Sequence, residues 1–216
     1  MVYYNGFRAG EHIVGPPAPA GGGEISLEPV GALALGIENM AATGVQGRAV
    51  MVDPWAHFGR EKRRVGYDDL MAVLEADGVT IEPGDMVCLH TGFGRQLLEW
   101  RKDPDEALIH ETCCGLDGRD PRLKRWIDTS GLSALVSDNM AVEFVESERP
   151  RRLEGPFLPI HELCLFKLGI HLGELWYLSE LAEWLRRNGR SRFLLTAPPL
   201  RLPGAVGSPV TPVATV

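Results

Sequence analysis

The segment LPIHELCLFKLGIHLGELWYLSELAEWL, Leu158 to Leu185, sets two histidines and four glutamates into an otherwise apolar run. Ionisable groups there cost free energy unless they are paired, hydrogen-bonded or bound to metal. The local pattern changes twice along the segment. Pro159 opens a mostly apolar helix expected to run to about Leu168, and Gly169 interrupts it. LSELAEWLRRNG then reads as an amphipathic helix, with Leu178, Leu181, Ala182 and Leu185 on one face. Arg186 and Arg187 occupy its last turn, and Gly189 stands where a helix ends.

The rest of the chain interleaves strands with helices in the same manner. RAVMVD (Arg48–Asp53), MVCLH (Met86–His90) and LSALVS (Leu132–Ser137) read as short apolar strands, and RFLLTA and the terminal PVATV as two more. YDDLMAVLEADGV carries Leu70, Met71, Val73 and Leu74 at helical spacing and stops at Gly78. Such interleaving predicts an α/β class. Residues 10–31 contain GPPAPAGGGE, too rich in Pro and Gly for a regular element, and residues 1–31 are expected to form a loop-rich N-terminal edge to one domain spanning 1–216.

Composition excludes several roles. At 216 residues the chain is long enough to bury a core. A net charge of −7 with no basic stripe argues against a nucleic-acid partner. Arg149, Arg151 and Arg152 cluster, but Glu146, Glu148 and Glu154 sit among them, which reads as a solvated loop. No run approaches the ~20 apolar residues of a membrane helix, and the N-terminus MVYYNGFRAG has no signal-peptide pattern. A cytoplasmic address is the default expectation. Cys88, Cys113, Cys114 and Cys164 lack CxxC spacing and read as small buried, reduced residues, although the vicinal pair could bind a soft metal.

Familiar catalytic patterns fail. His161-Glu162 begins H-E-x-x-H, but Leu165 replaces the second histidine. Ser208 in GAVGSPV is a turn residue rather than a nucleophile elbow, and no glycine-rich nucleotide motif is present, so no nucleotide cofactor is expected. Glu162, Lys167, Glu180 and Glu183 are adequately explained as solvated or ion-paired helix faces. If IHLGEL is extended, His171 and Glu174 face opposite ways. His161, in the first turn of a buried helix, could be a hydrogen-bonded core residue or a ligand. Asp138 and Asn139 end a strand, where they could line a cleft or cap a turn. His90, ending MVCLH, has the same ambiguity and receives no role. Trp176 and Tyr177 could meet an aromatic substrate or pack in the core.

LPIHELCLFKLGIHLGELWYLSEL, read with RFLLTAPPLRLPGAVGSPVTPVA, LGIENMAATGVQGRAVMVD, PGDMVCLHTGFGR and SALVSDNMAVE, resembles the cyclase family of metal-dependent hydrolases, which includes bacterial kynurenine formamidase and isatin hydrolase. The resemblance runs from about Tyr4 to the C-terminus. It implies a swivelling β/β/α fold, a homodimer or higher homo-oligomer, a divalent metal (manganese or zinc), and hydrolysis of a small amide or lactam C–N bond. It also implies that His161, of the PxH element, and Glu174, of the GE element, are metal ligands. His171 matches no required ligand.

The family's upstream element, His-x-Gly-Thr-His-x-Asp-x-Pro-x-His or a glutamine variant, has no counterpart here. His12 is followed by IVGPPAPA. The expectation is therefore an incomplete ligand set in a chain that starts just past that element, with the catalytic acid/base unassigned. Two rivals follow: a metal-free pseudo-hydrolase kept for binding or assembly, and a chain completed by a partner.

Overall fold

Runs such as AVMV and MVCL carry no polar alternation, the pattern of strands covered on both faces, and the structure uses them so. The structure is a computed structural model and describes residues 6–14, 31–146 and 155–216. In chain order come strands β1 (Ile13–Val14) and β2 (Gly31–Ala32), helix α1 (Ile37–Thr43), strand β3 (Gln46–Val52), helix α2 (Pro54–Phe58), strand β4 (Arg64–Val65) and helix α3 (Tyr67–Ala76). Strand β5 (Met86–Leu89), helices α4 (Phe93–Trp100) and α5 (Glu106–Ile109), strand β6 (Gly115–Leu116), helix α6 (Pro121–Ser130) and strand β7 (Ala134–Ser137) follow. The last third holds helix α7 (Pro159–His161), a π-helical run Glu162–Leu168, strand β8 (His171–Gly173), helix α8 (Ser179–Arg187) and strands β9 (Arg192–Thr196) and β10 (Val213–Thr215).

Packing divides the chain into two compact units, Met1–Gln46 with Leu195–Ala214, and Gly47–Leu194 with Thr215–Val216. In the first, β1 pairs antiparallel with β2, and Ala197 N–H donates to the Val45 carbonyl at 2.9 Å. Positions 15–30 of the expected N-terminal loop lie outside the described residues. Its flanks, expected to hold no regular element, form this two-residue ladder. The arginine cluster at 149, 151 and 152 also lies outside the described residues.

The larger unit is an α/β layer structure. Its strands run parallel in the order β3, β5, β7, β8, with Ala49 opposite Met86, Met86 opposite Ala134, and Ala134 opposite His171. Parallel neighbours need crossovers, and helices supply them. Val52, Val87, Leu89 and Leu135 on the strands pack in one core with Leu70 and Val73 of α3, Leu123 and Ile127 of α6, and Ile160 of α7. The expected strands and helices of this unit are present. The helix opened by Pro159 spans the expected residues but changes to π geometry after His161. Leu178, which caps α8, and Ala182 and Leu185 within it are buried while Leu181 is only half-buried, so the buried face is narrower than the sequence pattern implies. Gly92 opens α4 with φ 83° where a Cβ would lie 2.2 Å from the Trp55 ring, so the turn after β5 needs glycine twice over.

Candidate metal centre

Each of the four parallel strands is followed at once by a titratable residue: Asp53 after β3, His90 after β5, Asp138 after β7 and Glu174 after β8. The carboxyl ends of parallel strands are where open α/β sheets bind ligands, because backbone and side chains there are not consumed by the sheet. Two hydrogen-bonded groups grow from these positions.

The first joins the two sequence-predicted residues. His161 Nε2 lies 3.3 Å from Glu174 Oε1, although thirteen positions separate them. The other ring nitrogen, Nδ1, lies 2.8 Å from Glu143 Oε1. Glu174 Oε1 also accepts the Val142 backbone N–H at 2.9 Å. Burial alone would lower the pKa of His161, but the two carboxylates outweigh it and raise the imidazolium to about 9. Leu175, next to Glu174, holds φ 57°, an unusual conformation for a leucine. Backbone bonds from Leu175 N–H to the Asn139 carbonyl and from Trp176 N–H to the Ser137 carbonyl pin that turn beside β7. His171 stands exposed on β8 in register with Ala134, and is not drawn into this group.

The second group is more deeply buried. His90 Nδ1 lies 2.7 Å from Asp53 Oδ1, and His90 Nε2 lies 3.1 Å from Ser179 Oγ. Arg186 Nε donates to Asp53 Oδ2 at 3.0 Å, and the same guanidinium reaches Asp77, which His57 approaches at 3.2 Å. Burial pushes the Asp53 carboxyl up, but His90 and Arg186 pull harder and leave it below its ordinary value. A cavity of about 210 Å³ lies beside this group, lined by Asp53, Asp77, Ala182, Leu185, Arg186 and Arg190 among others. Asp138 accepts from Thr91 N–H and Oγ and from Gly92 N–H, each within 2.9 Å. It fixes the turn that starts α4. Asn139 likewise serves its own turn, accepting Met140 N–H and donating to the Cys114 carbonyl. Ser208 accepts Leu200 N–H and donates to the Pro209 carbonyl, the turn role read for it. Trp176 is half-buried and Tyr177 is 46% exposed, which takes Tyr177 out of the core.

The sequence reading passed over Glu143 and the Asp53–His90–Ser179 chain. Glu143 ends the block SALVSDNMAVE, and the one signal available was an acid directly after the apolar pair Ala141–Val142.

The Cyclase family profile matches residues 19–144, more than half of the chain. The chain belongs to the Cyclase family. Among solved structures it is similar to one described as a novel cyclase, at 32% identity and TM-score 0.70, over 86% of this chain and 59% of that one. It is also similar to isatin hydrolase A from Labrenzia aggregata, at 14% identity and TM-score 0.58, over 83% of this chain and 64% of that one. Isatin hydrolase A from Ralstonia solanacearum matches at 16% identity and TM-score 0.58, over 83% and 63%. The chain thus spans about three-fifths of the length of these structures. The latter two likenesses show the fold. A search of curated proteins found no match.

Whether these residues suit a divalent ion is decided by their donors. Among the described residues, no group of three or more His, Cys, Asp or Glu side chains is arranged to hold a metal ion. His161 and Glu174 supply two donors, an imidazole nitrogen and a carboxylate oxygen, of the kind zinc and manganese accept. Their 3.3 Å separation suits a shared ion, since two donors each about 2.0–2.2 Å from one ion lie roughly 3 Å apart. The pair fits as part of a metal site.

Proposed function

We propose that this Cyclase-family chain is a divalent-metal-dependent hydrolase of small amide or lactam C–N bonds, with His161 and Glu174 among its metal ligands. The observation that carries the reading is the approach of His161 Nε2 to Glu174 Oε1 at the carboxyl end of β8. The solved relatives named isatin hydrolase, and a further one described as a potential metal-dependent hydrolase with cyclase activity, support the reaction class. Two donors do not complete a metal site, and a companion copy of the chain would supply others, in line with a homodimer or higher homo-oligomer. A cytoplasmic setting belongs to the same reading. Among the described residues, no helix is long and apolar enough to cross a membrane.

When bound, the ion supplies a Lewis acid for the carbonyl and a water acidified toward a pKa of about 7. The chain's own contribution is positional. His161 offers Nε2 from the first turn of its helix, and Glu174 offers a carboxylate whose Oε1 is already anchored by Val142 N–H. With Glu143 on the opposite ring nitrogen, His161 can keep a proton on Nδ1 while giving up the one on Nε2.

The test is metal content and hydrolysis of an N-formyl aryl amide and of isatin, measured on wild type, His161→Ala and Glu174→Gln. Bound manganese or zinc and turnover in the wild type, both reduced at least tenfold in each variant, are expected. Metal and turnover unaffected by both substitutions would overturn the assignment. A wild type with neither metal nor turnover would favour the rival reading, a metal-free binding module, which the engagement of both His161 nitrogens by carboxylates already accommodates.

A further inference from the structure

We infer that Glu143 is the positioning residue of the His161–Glu174 pair, an inference that rests on the metal-site reading above. Glu143 is 2% exposed. Its carboxylate accepts the Ile160 N–H at 3.1 and 3.0 Å, the His161 N–H at 3.0 Å, and faces His161 Nδ1 at 2.8 Å. The two backbone donors belong to the first turn of the helix, where N–H groups have no intrahelical acceptor. One carboxylate therefore fixes both where the helix starts and how the imidazole on it is turned. With Nδ1 held by Glu143, Nε2 is the atom left to face Glu174.

The preceding residue acts on the other member of the pair. Val142 N–H donates to Glu174 Oε1, so two consecutive residues grip the two candidate ligands, one by side chain and one by backbone. That dipeptide is itself held by β6: Leu116 N–H donates to the Val142 carbonyl at 3.2 Å, and Phe144 N–H donates to the Leu116 carbonyl at 2.8 Å.

Glycine makes the room. A Cβ on Gly118 would lie 2.4 Å from Glu143 Oε2 and 3.2 Å from Ile160 Cγ1, and a Cβ on Gly115 would lie 2.7 Å from Phe144 N. Gly118 is not in the left-handed region, so space for the carboxylate, rather than backbone freedom, is what a side chain there would remove. A buried carboxylate on the far nitrogen of a ligand histidine fixes its orientation and raises its basicity, and losing such a partner typically costs about 10–100-fold in metal affinity.

The experiment compares wild type, Glu143→Gln, Glu143→Ala and Gly118→Ala as full chains. Zinc affinity is measured by calorimetric titration, with thermal melting as the fold control. In the metal-free protein, ¹⁵N-histidine NMR follows exchange of the His161 Nδ1–H with water. Expected are a roughly 10–100-fold weaker zinc affinity in Glu143→Gln, a loss in the same direction in Gly118→Ala, and a protected Nδ1–H in wild type. That proton should exchange faster in Glu143→Gln and be lost from the spectrum in Glu143→Ala. Zinc affinity within twofold of wild type in both Glu143→Gln and Gly118→Ala would overturn the inference. So would an Nδ1–H equally protected in Glu143→Gln or Glu143→Ala. If wild type binds no zinc, the metal reading falls alone, and the NMR comparison still decides whether Glu143 aims the ring.

Discussion

Replacing Asp53 by asparagine should be among the most damaging single changes that preserve side-chain shape. Asp53 is 8% exposed and bonds at once to His90 Nδ1, to the Ala56 N–H that starts α2, and to Arg186. The His90 arm is a buried, charge-assisted bond worth about 1.5–3 kcal/mol. The Arg186 arm is discounted, because Arg186 is half-exposed and keeps Asp77, so it adds about 1 kcal/mol or less. The sum, about 2–4 kcal/mol, corresponds to a melting shift of roughly 5–15 °C in a chain of this size. Asp77→Asn weakens only partly exposed contacts, to Arg186 and to His57, and should cost about 1 kcal/mol or less. The pH dependence gives a second, independent check. Folding lowers the Asp53 carboxyl below its ordinary 3.8, so its stabilisation is fully present above that value and is lost as pH falls through the lower folded value. The wild-type advantage over Asp53→Asn should therefore be flat above about pH 5 and shrink below pH 3.8. Thermal melts of both variants from pH 7 down to the acid limit of folding decide the matter. Equal shifts for Asp53→Asn and Asp77→Asn, or an advantage constant through the acid range, would refute the reasoning.

Other consequences can be read directly. Leu185 is 1% exposed on the buried face of α8, so Leu185→Ala should cost about 2–5 kcal/mol in denaturant unfolding. Exposed Glu180→Ala should stay within about 0.5 kcal/mol. All four cysteines are free and buried, and burial pushes Cys88, Cys114 and Cys164 up to about 12 and Cys113 to about 11. A thiol reagent at pH 8 should leave the native protein almost unlabelled and find four thiols after denaturation. Gly92→Ala should destabilise by about 1–3 kcal/mol through its left-handed backbone and the Trp55 ring, measured in the same unfolding assay.

What the sequence could reveal followed from how local the signals are. The parallel strands are uninterrupted apolar runs, and α8 carries its own amphipathic spacing and terminal glycine, so a short window identifies each. Helix α6 was equally legible, with Asp120 accepting Arg122 and Leu123 N–H, Pro121 in the first turn and Gly131 closing it at φ 73°, yet its capping signals went unread. The change to π geometry after His161 was not legible, because it alters which carbonyl each N–H meets without altering which residues are apolar. Glu143 was hidden for a different reason. Its partners lie 17 and 18 positions away on another element, and nothing local distinguishes an acid that will be buried from one that will be solvated. His161 and Glu174 were singled out through resemblance, and only the fold could bring them together.

The second group at the strand ends poses a sharper question, because Ser179, His90 and Asp53 are bonded in the order of a nucleophilic triad. Bond order alone does not make a nucleophile: the hydroxyl must also meet a carbonyl. Ser179 is 0% exposed and His90 is 2% exposed, whereas the side chains of His161 and Glu174 keep 23% and 27% of their surface. Asp53 is moreover tied by Arg186 to Asp77 and through it to His57, so the chain ends in a lattice of ion pairs on the α8 side. That arrangement ties α8 to the ends of β3 and β5. A fluorophosphonate probe should therefore leave Ser179 unmodified in the native protein over hours, and Ser179→Ala should show its effect in stability, at about 1–3 kcal/mol for leaving the buried His90 nitrogen unpaired. Rapid stoichiometric labelling of Ser179, mapped by mass spectrometry, would overturn this assignment and make the Ser179–His90–Asp53 chain a reactive centre.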